Sequence, residues 1–242
     1  MSSASVYRVH EILSSIFNNA LRRDLVPYNT GTKVIQPKYR RAKMNCYDEE
    51  TSKRLINTLS SKAPIKYKCF VILAILIGFR RGEIVSLHWD DIYFKNHKIT
   101  VNRSAYYLSG QPALEKDPKT DTNNRTIVVP SICFNLLKQC RVEQGKMRLT
   151  LGDKWQGSQN IFTTEDGKIM NLSSGPKWFS GFLEKNGFPY IRFHDLRHIF
   201  ATLSISGNVD VKTVSHKLGH ASTTTTMNFY VHSLESTDKA SI

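Results

Sequence analysis

Two histidines, an arginine and a tyrosine cluster in the last fifty residues of this 242-residue chain. His194 opens the run His194-Asp195-Leu196-Arg197, and His220 closes Leu218-Gly219-His220. Tyr230 follows inside Asn228-Phe229-Tyr230-Val231-His232. Guanidinium and imidazole N–H groups donate to phosphate oxygens, and a phenolic hydroxyl can attack phosphorus. These residue types at these separations suit one anionic site that holds a nucleophile. His194 and Arg197 are three apart, which puts both on one side of a helix starting there. Gly219 is placed to end one helix and free the next turn, and helix is expected to restart at Thr223 toward Tyr230.

Two earlier segments carry further candidates. Gly78-Phe79-Arg80-Arg81-Gly82-Glu83 directly follows the apolar run from Cys69 to Gly78. An arginine at the end of a buried helix lies at the rim of a core, held by it and facing out. Glu83, three residues beyond Arg80, shares its helical face and can orient its guanidinium. Without context, two such arginines are equally well solvated charges. Lys116-Asp117-Pro118-Lys119-Thr120 and then Arg125 to Pro130 predict a strand, a turn and a strand. A lysine at a hairpin tip is ordinarily solvated, yet a tip can also deliver a mobile ammonium to a leaving oxygen. His194 with His198 and His216 with His220 stand at i, i+4, a metal-binding spacing. No Glu follows His194 as H-E-x-x-H requires, and no third ligand is obvious, so a metal centre is not expected.

Taken in order, these five segments resemble the signature of the tyrosine recombinases, the phage-integrase family, most closely integrases of phages or conjugative transposons. The stretch Gly78–Glu83 is similar to the family's G-x-R-x-x-E and selects Arg80 over Arg81. Lys119-Thr120 with Arg125–Pro130 is similar to K-T…R-x-I/V-x-x-P and selects Lys119 over Lys116. His194-x-x-Arg197, Leu218-Gly219-His220 and Tyr230 complete the pattern.

The resemblance implies a site-specific DNA recombinase that cleaves and rejoins strands through a 3′-phosphotyrosine, integrating or excising a mobile element. On that basis Tyr230 attacks the scissile phosphate, and Arg80 and Arg197 clamp its non-bridging oxygens. His194 and His220 add hydrogen bonds, with His194 assisting proton removal from Tyr230, while Lys119 protonates the leaving 5′-oxygen and Glu83 orients Arg80. No metal or nucleotide cofactor is implied. The implied partners are double-stranded DNA, further copies of the chain (monomer alone, homo-tetramer on synapsed sites), and an accessory DNA-bending or excision factor. Two alternatives stay open: a catalytically silent DNA-binding module of the same fold, and an enzyme like the type IB topoisomerases.

Composition agrees with a polyanionic partner: Lys+Arg is 34 against Asp+Glu 20, a formal net charge of +14. Lys38, Arg40, Arg41 and Lys43 form a basic run expected to touch DNA phosphates, as is Arg81. The four cysteines are widely spaced with no CxxC, which argues against a disulfide framework or a zinc site and fits reduced thiols in the cytoplasm. Met1 to Val9 lacks the apolar core of a signal peptide, and the longest apolar run is about half a membrane span.

The elements that must position these residues follow from periodicity. Val9, Ile12, Leu13, Ile16, Phe17, Ala20 and Leu21 form one apolar stripe on a helix from about Val6 to Asp24, with nothing nearby in sequence to cover it. Helices are expected from Asp48 to about Leu59, Ile65 to Phe79, Gly82 to Leu87, Ser131 to Glu143, Ser173 to Asn186, His194 to Ser206, Val211 to Lys217 and Thr223 to Ser233. Strands are expected at 98–101, 105–108 and 125–129. The fold class is α+β: a mainly helical catalytic domain with a small three-stranded antiparallel sheet. With the resemblance, residues 1–26 are the last helix of a truncated core-binding domain, 27–46 a basic linker, 47–233 the catalytic domain and 234–242 a tail.

Overall fold

The computed structural model describes residues 3–35, 47–108, 113–116, 124–157, 159–220 and 222–227. The chain divides into two compact units, Met1–Lys43 and Met44–Ile242.

In the first unit, helix α1 (Ser3–Leu21) leaves its apolar stripe, including Val9, Ile12 and Ile16, exposed. The chain beyond α1 doubles back onto it through polar groups. The Asn29 amide donates to the Ser14 carbonyl and to Asn18 Oδ1, and its own Oδ1 accepts from the Gly31 N–H. His10 Nε2 meets the Gly31 carbonyl at 2.9 Å.

In the second unit, α2 (Glu49–Lys62) begins at Asp48, whose carboxylate accepts from the Thr51 N–H at 2.7 Å. That bond satisfies one of the donors a helix start leaves open. Helix α3 (Ile65–Ile77) is apolar on all sides from Cys69 onward and, Leu76 apart, is buried there, as an all-round apolar stretch must be. Around it pack α5 (Ser131–Leu151), α6 (Ser174–Lys185) and α7 (Asp195–Ser206). The short α4 (Arg81–Val85) follows α3 directly, and α8 (Val211–Leu218) lies against α7. Residues 223–227 are helical again.

Helix α5 continues eight residues past the expected end at Glu143. Gln144 explains the extension: its Oε1 accepts from Trp89 Nε1 at 2.7 Å and its Nε2 donates to the Asn160 carbonyl at 2.9 Å. These partners come from remote segments, so local periodicity carries no sign of them.

The three-stranded antiparallel sheet has the order β1 (Ile92–Tyr93), β2 (Lys98–Val101), β5 (Arg125–Val128). Ile99 stands opposite Ile127 and Val101 opposite Arg125. The strand at β3 (Ser104–Tyr106) belongs elsewhere: it pairs with β4 (Leu114–Lys116) as a separate hairpin. β1 was not anticipated, because two residues are too few to show an alternation. Along β5, Arg125 and Ile127 are buried while Thr126 and Val128 are exposed. An arginine therefore occupies the core face of the sheet. The β3–β4 hairpin is tied to the body through Glu115, which accepts from Asn160 Nδ2 at 2.6 Å and meets His88 Nε2 at 3.0 Å.

Candidate active site

Two helix ends meet at the site, and each ends on a glycine in the left-handed conformation. Gly78 closes α3 with φ +75°, and a Cβ there would stand 2.5 Å from Leu218 Cδ2 and 2.6 Å from Phe200 Cδ1. Only glycine lets the end of α3 approach α7 and α8 so closely. Gly219 closes α8 with φ +64°. Its N–H donates to the His216 carbonyl at 3.0 Å, and the His220 N–H donates to the Ser215 carbonyl at 3.1 Å. This paired arrangement satisfies two of the carbonyls a helix end leaves open.

The next three carbonyls are taken by three different arginines. Arg125 Nε donates to Lys217 O at 2.9 Å, Arg197 Nη2 to Leu218 O, and Arg80 Nη2 to Gly219 O at 3.2 Å. Arg197 also donates from Nη1 to the Gly78 carbonyl at 2.6 Å, bridging the ends of α3 and α8. The negative pole of α8 and its open carbonyls thus gather three positive side chains at one place.

Glu83 sits among them. Its Oε1 accepts from Arg80 Nη1 at 2.9 Å and Arg125 Nη1 at 3.1 Å. Its Oε2 accepts from the Arg80 backbone N–H at 2.8 Å and Arg125 Nη2 at 2.9 Å. Burial pushes the Glu83 carboxyl up, but the charges of Arg125 and then Arg80, with their hydrogen bonds, outweigh it and hold the group below its usual range. Three guanidiniums against one carboxylate leave two uncompensated positive charges. Arg197 registers that surplus: burial first, then the Arg80 charge, lowers it to about 9.

The histidines are held neutral by the same causes. His220 is lowered to about 4 by burial and then by the charges of Arg197 and Arg80. Its Nδ1 is 2.8 Å from Thr226 Oγ1, a fully buried hydroxyl on the 223–227 segment. His198 is lowered to about 4, mainly by burial. His194 lies at the rim, exposed at its edge; partial desolvation and the Arg197 charge still press it below its ordinary range. Asp195 fixes the turn that presents it. The buried carboxylate accepts from the Arg192 backbone N–H at 2.8 Å and pairs with the Arg192 guanidinium at 2.8 Å.

Of these groups Arg80, Arg192 and His194 border an open cleft of about 480 Å³, whose walls also include Arg81, Ser180 and Tyr190. A cleft walled by arginines, with the neutral His194 imidazole at its edge, can bind an oxyanion and accept a proton.

Of the residues singled out from sequence, the fold brings Arg80, Glu83, Arg197, His194 and His220 together and puts Arg81, exposed, on the cleft wall. Arg197 is more deeply set than expected, buried and with two donors committed to backbone carbonyls. Lys119, Tyr230, Lys38, Arg40, Arg41 and Lys43 lie outside the described residues. His194 and His198 stack edge to face at 5.2 Å, and among the described residues no cluster of three metal-ligating side chains occurs. No described helix is long and apolar enough to cross a membrane. Sequence reasoning missed Arg125, Arg192, Asp195 and Thr226. Strand alternation held a signal for Arg125, since it shares the parity of Ile127.

Comparison with known proteins places these residues in context. The model of the phage integrase family matches residues 46–237. The chain is 29% identical over 248 residues to a tyrosine recombinase XerC-like protein of Caldanaerobacter subterraneus subsp. tengcongensis, covering 96% of this chain and 63% of that protein. It is also 29% identical over 232 residues to the ICEBs1 integrase of Bacillus subtilis, covering 96% and 62%. The chain thus spans less than two thirds of the length of either relative. The fold is similar to that of the Tn1549 transposon integrase solved with transposon right end DNA, with a TM-score of 0.79, 18% identity and coverage of 95% and 75%.

Proposed function

The chain belongs to the phage integrase family, and from that premise we propose that it is a site-specific DNA recombinase acting through a 3′-phosphotyrosine on Tyr230. One observation carries the reading. Arg80, Glu83, Arg197, His194 and His220, at the positions the family motifs select, share with Arg125 a cluster in which three arginines and one glutamate leave two uncompensated positive charges beside neutral imidazoles.

A scissile phosphate in the cleft meets Arg80 and the Arg197 charge behind it. Donors placed before the reaction stabilise the charge of the pentavalent transition state without reorganisation. Tyr230 attacks phosphorus, its proton passing to His194, which is neutral and can accept it. The leaving 5′-oxygen takes a proton from Lys119. His220 donates to the phosphate while Thr226 holds its other ring nitrogen. The phosphotyrosine conserves the energy of the broken bond, so rejoining needs no nucleotide. Double-stranded DNA is the substrate, with two pairs of subunits assembling on synapsed sites. Residues 47–233 carry this chemistry.

The test is a suicide DNA substrate, nicked near the cut so that cleavage cannot reverse. Candidate attachment-site DNA is incubated in EDTA with the wild-type chain and with Tyr230→Phe, then run on a denaturing gel. A shifted, protease-sensitive band for wild type alone is expected. No covalent band despite salt-sensitive DNA binding would instead identify a silent binding module. Relaxation of supercoils without strand exchange between sites would identify a topoisomerase-like activity.

A further inference from the structure

Arg125 lies in this cluster without a role in the chemistry proposed above. It begins β5 and faces the core, opposite Val101. Its side chain is 2% exposed and that of Glu83 5%, whereas that of Arg80 is 38% exposed. Arg125 is therefore too deep to hold a phosphate in the cleft, and Arg80 is not. Each nitrogen of the Arg125 guanidinium has a partner within the protein: two on the two Glu83 oxygens, the third on the Lys217 carbonyl. Gly219 packs directly on it, so that a Cβ at Gly219 would stand 2.9 Å from Nη1.

We propose that Arg125 is a positioning residue that keeps Glu83 from neutralising Arg80, leaving the Arg80 charge available to the scissile phosphate. The inference deepens the recombinase reading and rests on it. Glu83 has one negative charge and two guanidinium partners. Arg125 meets that charge face-on with two bonds, while Arg80 gives Glu83 one guanidinium nitrogen, gives the Gly219 carbonyl the other, and keeps 38% of its side chain exposed. Remove Arg125, and the buried carboxylate has only Arg80 to balance it, which draws Arg80 inward and cancels its charge.

Stability alone does not account for the arrangement, because replacing a buried ion pair by apolar side chains is often neutral or stabilising. The identity of the residue also follows from geometry: three bonds in one plane require a guanidinium, and an ammonium cannot make them. The same side chain joins three segments that carry proposed catalytic groups. β5 follows the stretch containing Lys119, α4 begins beside Arg80, and the end of α8 leads to His220.

The test compares wild type, Arg125→Lys, Arg80→Ala and the double variant Arg80→Ala/Arg125→Lys. Single-turnover formation of the covalent complex is measured at saturating protein, alongside DNA Kd and Tm for each. Arg125→Lys is expected to slow covalent-complex formation by about 10- to 100-fold, as small misplacements of a catalytic group do. Its DNA Kd is expected to stay within about twofold of wild type, since the affected interaction matters in the transition state. In the Arg80→Ala background the same substitution is expected to change nothing. A wild-type rate for Arg125→Lys, or fold-losses that multiply in the double variant, would overturn the inference. Inorganic phosphate supplies a readout independent of cleavage. It is expected to raise the wild-type Tm and to raise that of Arg125→Lys less. Equal rises, or no rise in wild type, would also overturn the inference. Absence of a covalent complex in wild type alongside the expected phosphate difference counts against the recombinase chemistry and not against the role of Arg125 in holding the charge.

Discussion

Arg197 reaches the Leu218 carbonyl from one side of its guanidinium and the Gly78 carbonyl from the other. The ends of α8 and α3 are thus joined through a single side chain that is buried in the process. Lysine at this position has one nitrogen and cannot span both carbonyls. Arg197→Lys is therefore expected to leave one buried carbonyl unsatisfied and to lower stability by about 1–3 kcal/mol. Urea denaturation measures this, and an unchanged midpoint at unchanged slope would count against the bridge.

Glu83→Gln removes the one carboxylate that, among the described residues, pairs with both Arg80 and Arg125. The Arg125–Glu83 pair is buried, and removing one partner of such a pair leaves a charge without compensation, at a cost of about 3–5 kcal/mol. The amide retains part of the hydrogen bonding, so the lower end is expected. Added phosphate should recover some of the loss by meeting the freed charge, read as a larger phosphate-dependent rise in Tm than in wild type.

Gly78→Ala puts a methyl against Leu218 and Phe200 at a backbone conformation that disfavours a side chain. Overpacking of this kind costs about 1–3 kcal/mol. The greater effect is expected on activity, because the carbonyl of residue 78 holds Arg197 and the next turn carries Arg80. A variant with lowered stability and wild-type cleavage at low temperature would separate packing from function and defeat this expectation.

Stability should fall with acid well above the carboxylate range. His198 and His220 titrate at about 4 in the folded chain, whereas an unfolded histidine titrates near 6.5. Between these values the unfolded chain binds the more protons, so this stabilisation is fully present above about pH 6.5 and is lost progressively down to about 4. The depressed His194 adds to the loss, and Glu83 extends it as pH falls through its own lowered value. Urea midpoints at pH 7.5, 6 and 5 should decline in order. A flat series, or one unaltered by His220→Asn, would contradict the assignment.

Much of the fold was legible along the chain because the relevant physics is local. The start of α2 at Asp48, the burial of α3 and the left-handed end of α8 at Gly219 each follow from a few adjacent residues. The pairing of β3 with β4 did not, and neither did the two-residue β1, since strand partners are set by segments that periodicity does not connect.

For the site, the sequence by itself determined the inventory and order of the chemical groups: Arg80 beside Glu83, then His194 with Arg197, then His220. Their types and short-range spacing suffice for that. For Arg125 the strand alternation pointed only to the core face; tertiary structure decided that its partners are Glu83 and the Lys217 carbonyl, 42 and 92 residues away along the chain. It likewise decided that three consecutive carbonyls at the end of α8, those of Lys217, Leu218 and the capping Gly219, each receive a different arginine, and that His220 stays neutral. Those properties depend on which distant groups share a desolvated space. A protonation state or an uncompensated charge arises from that shared space and from no residue in isolation.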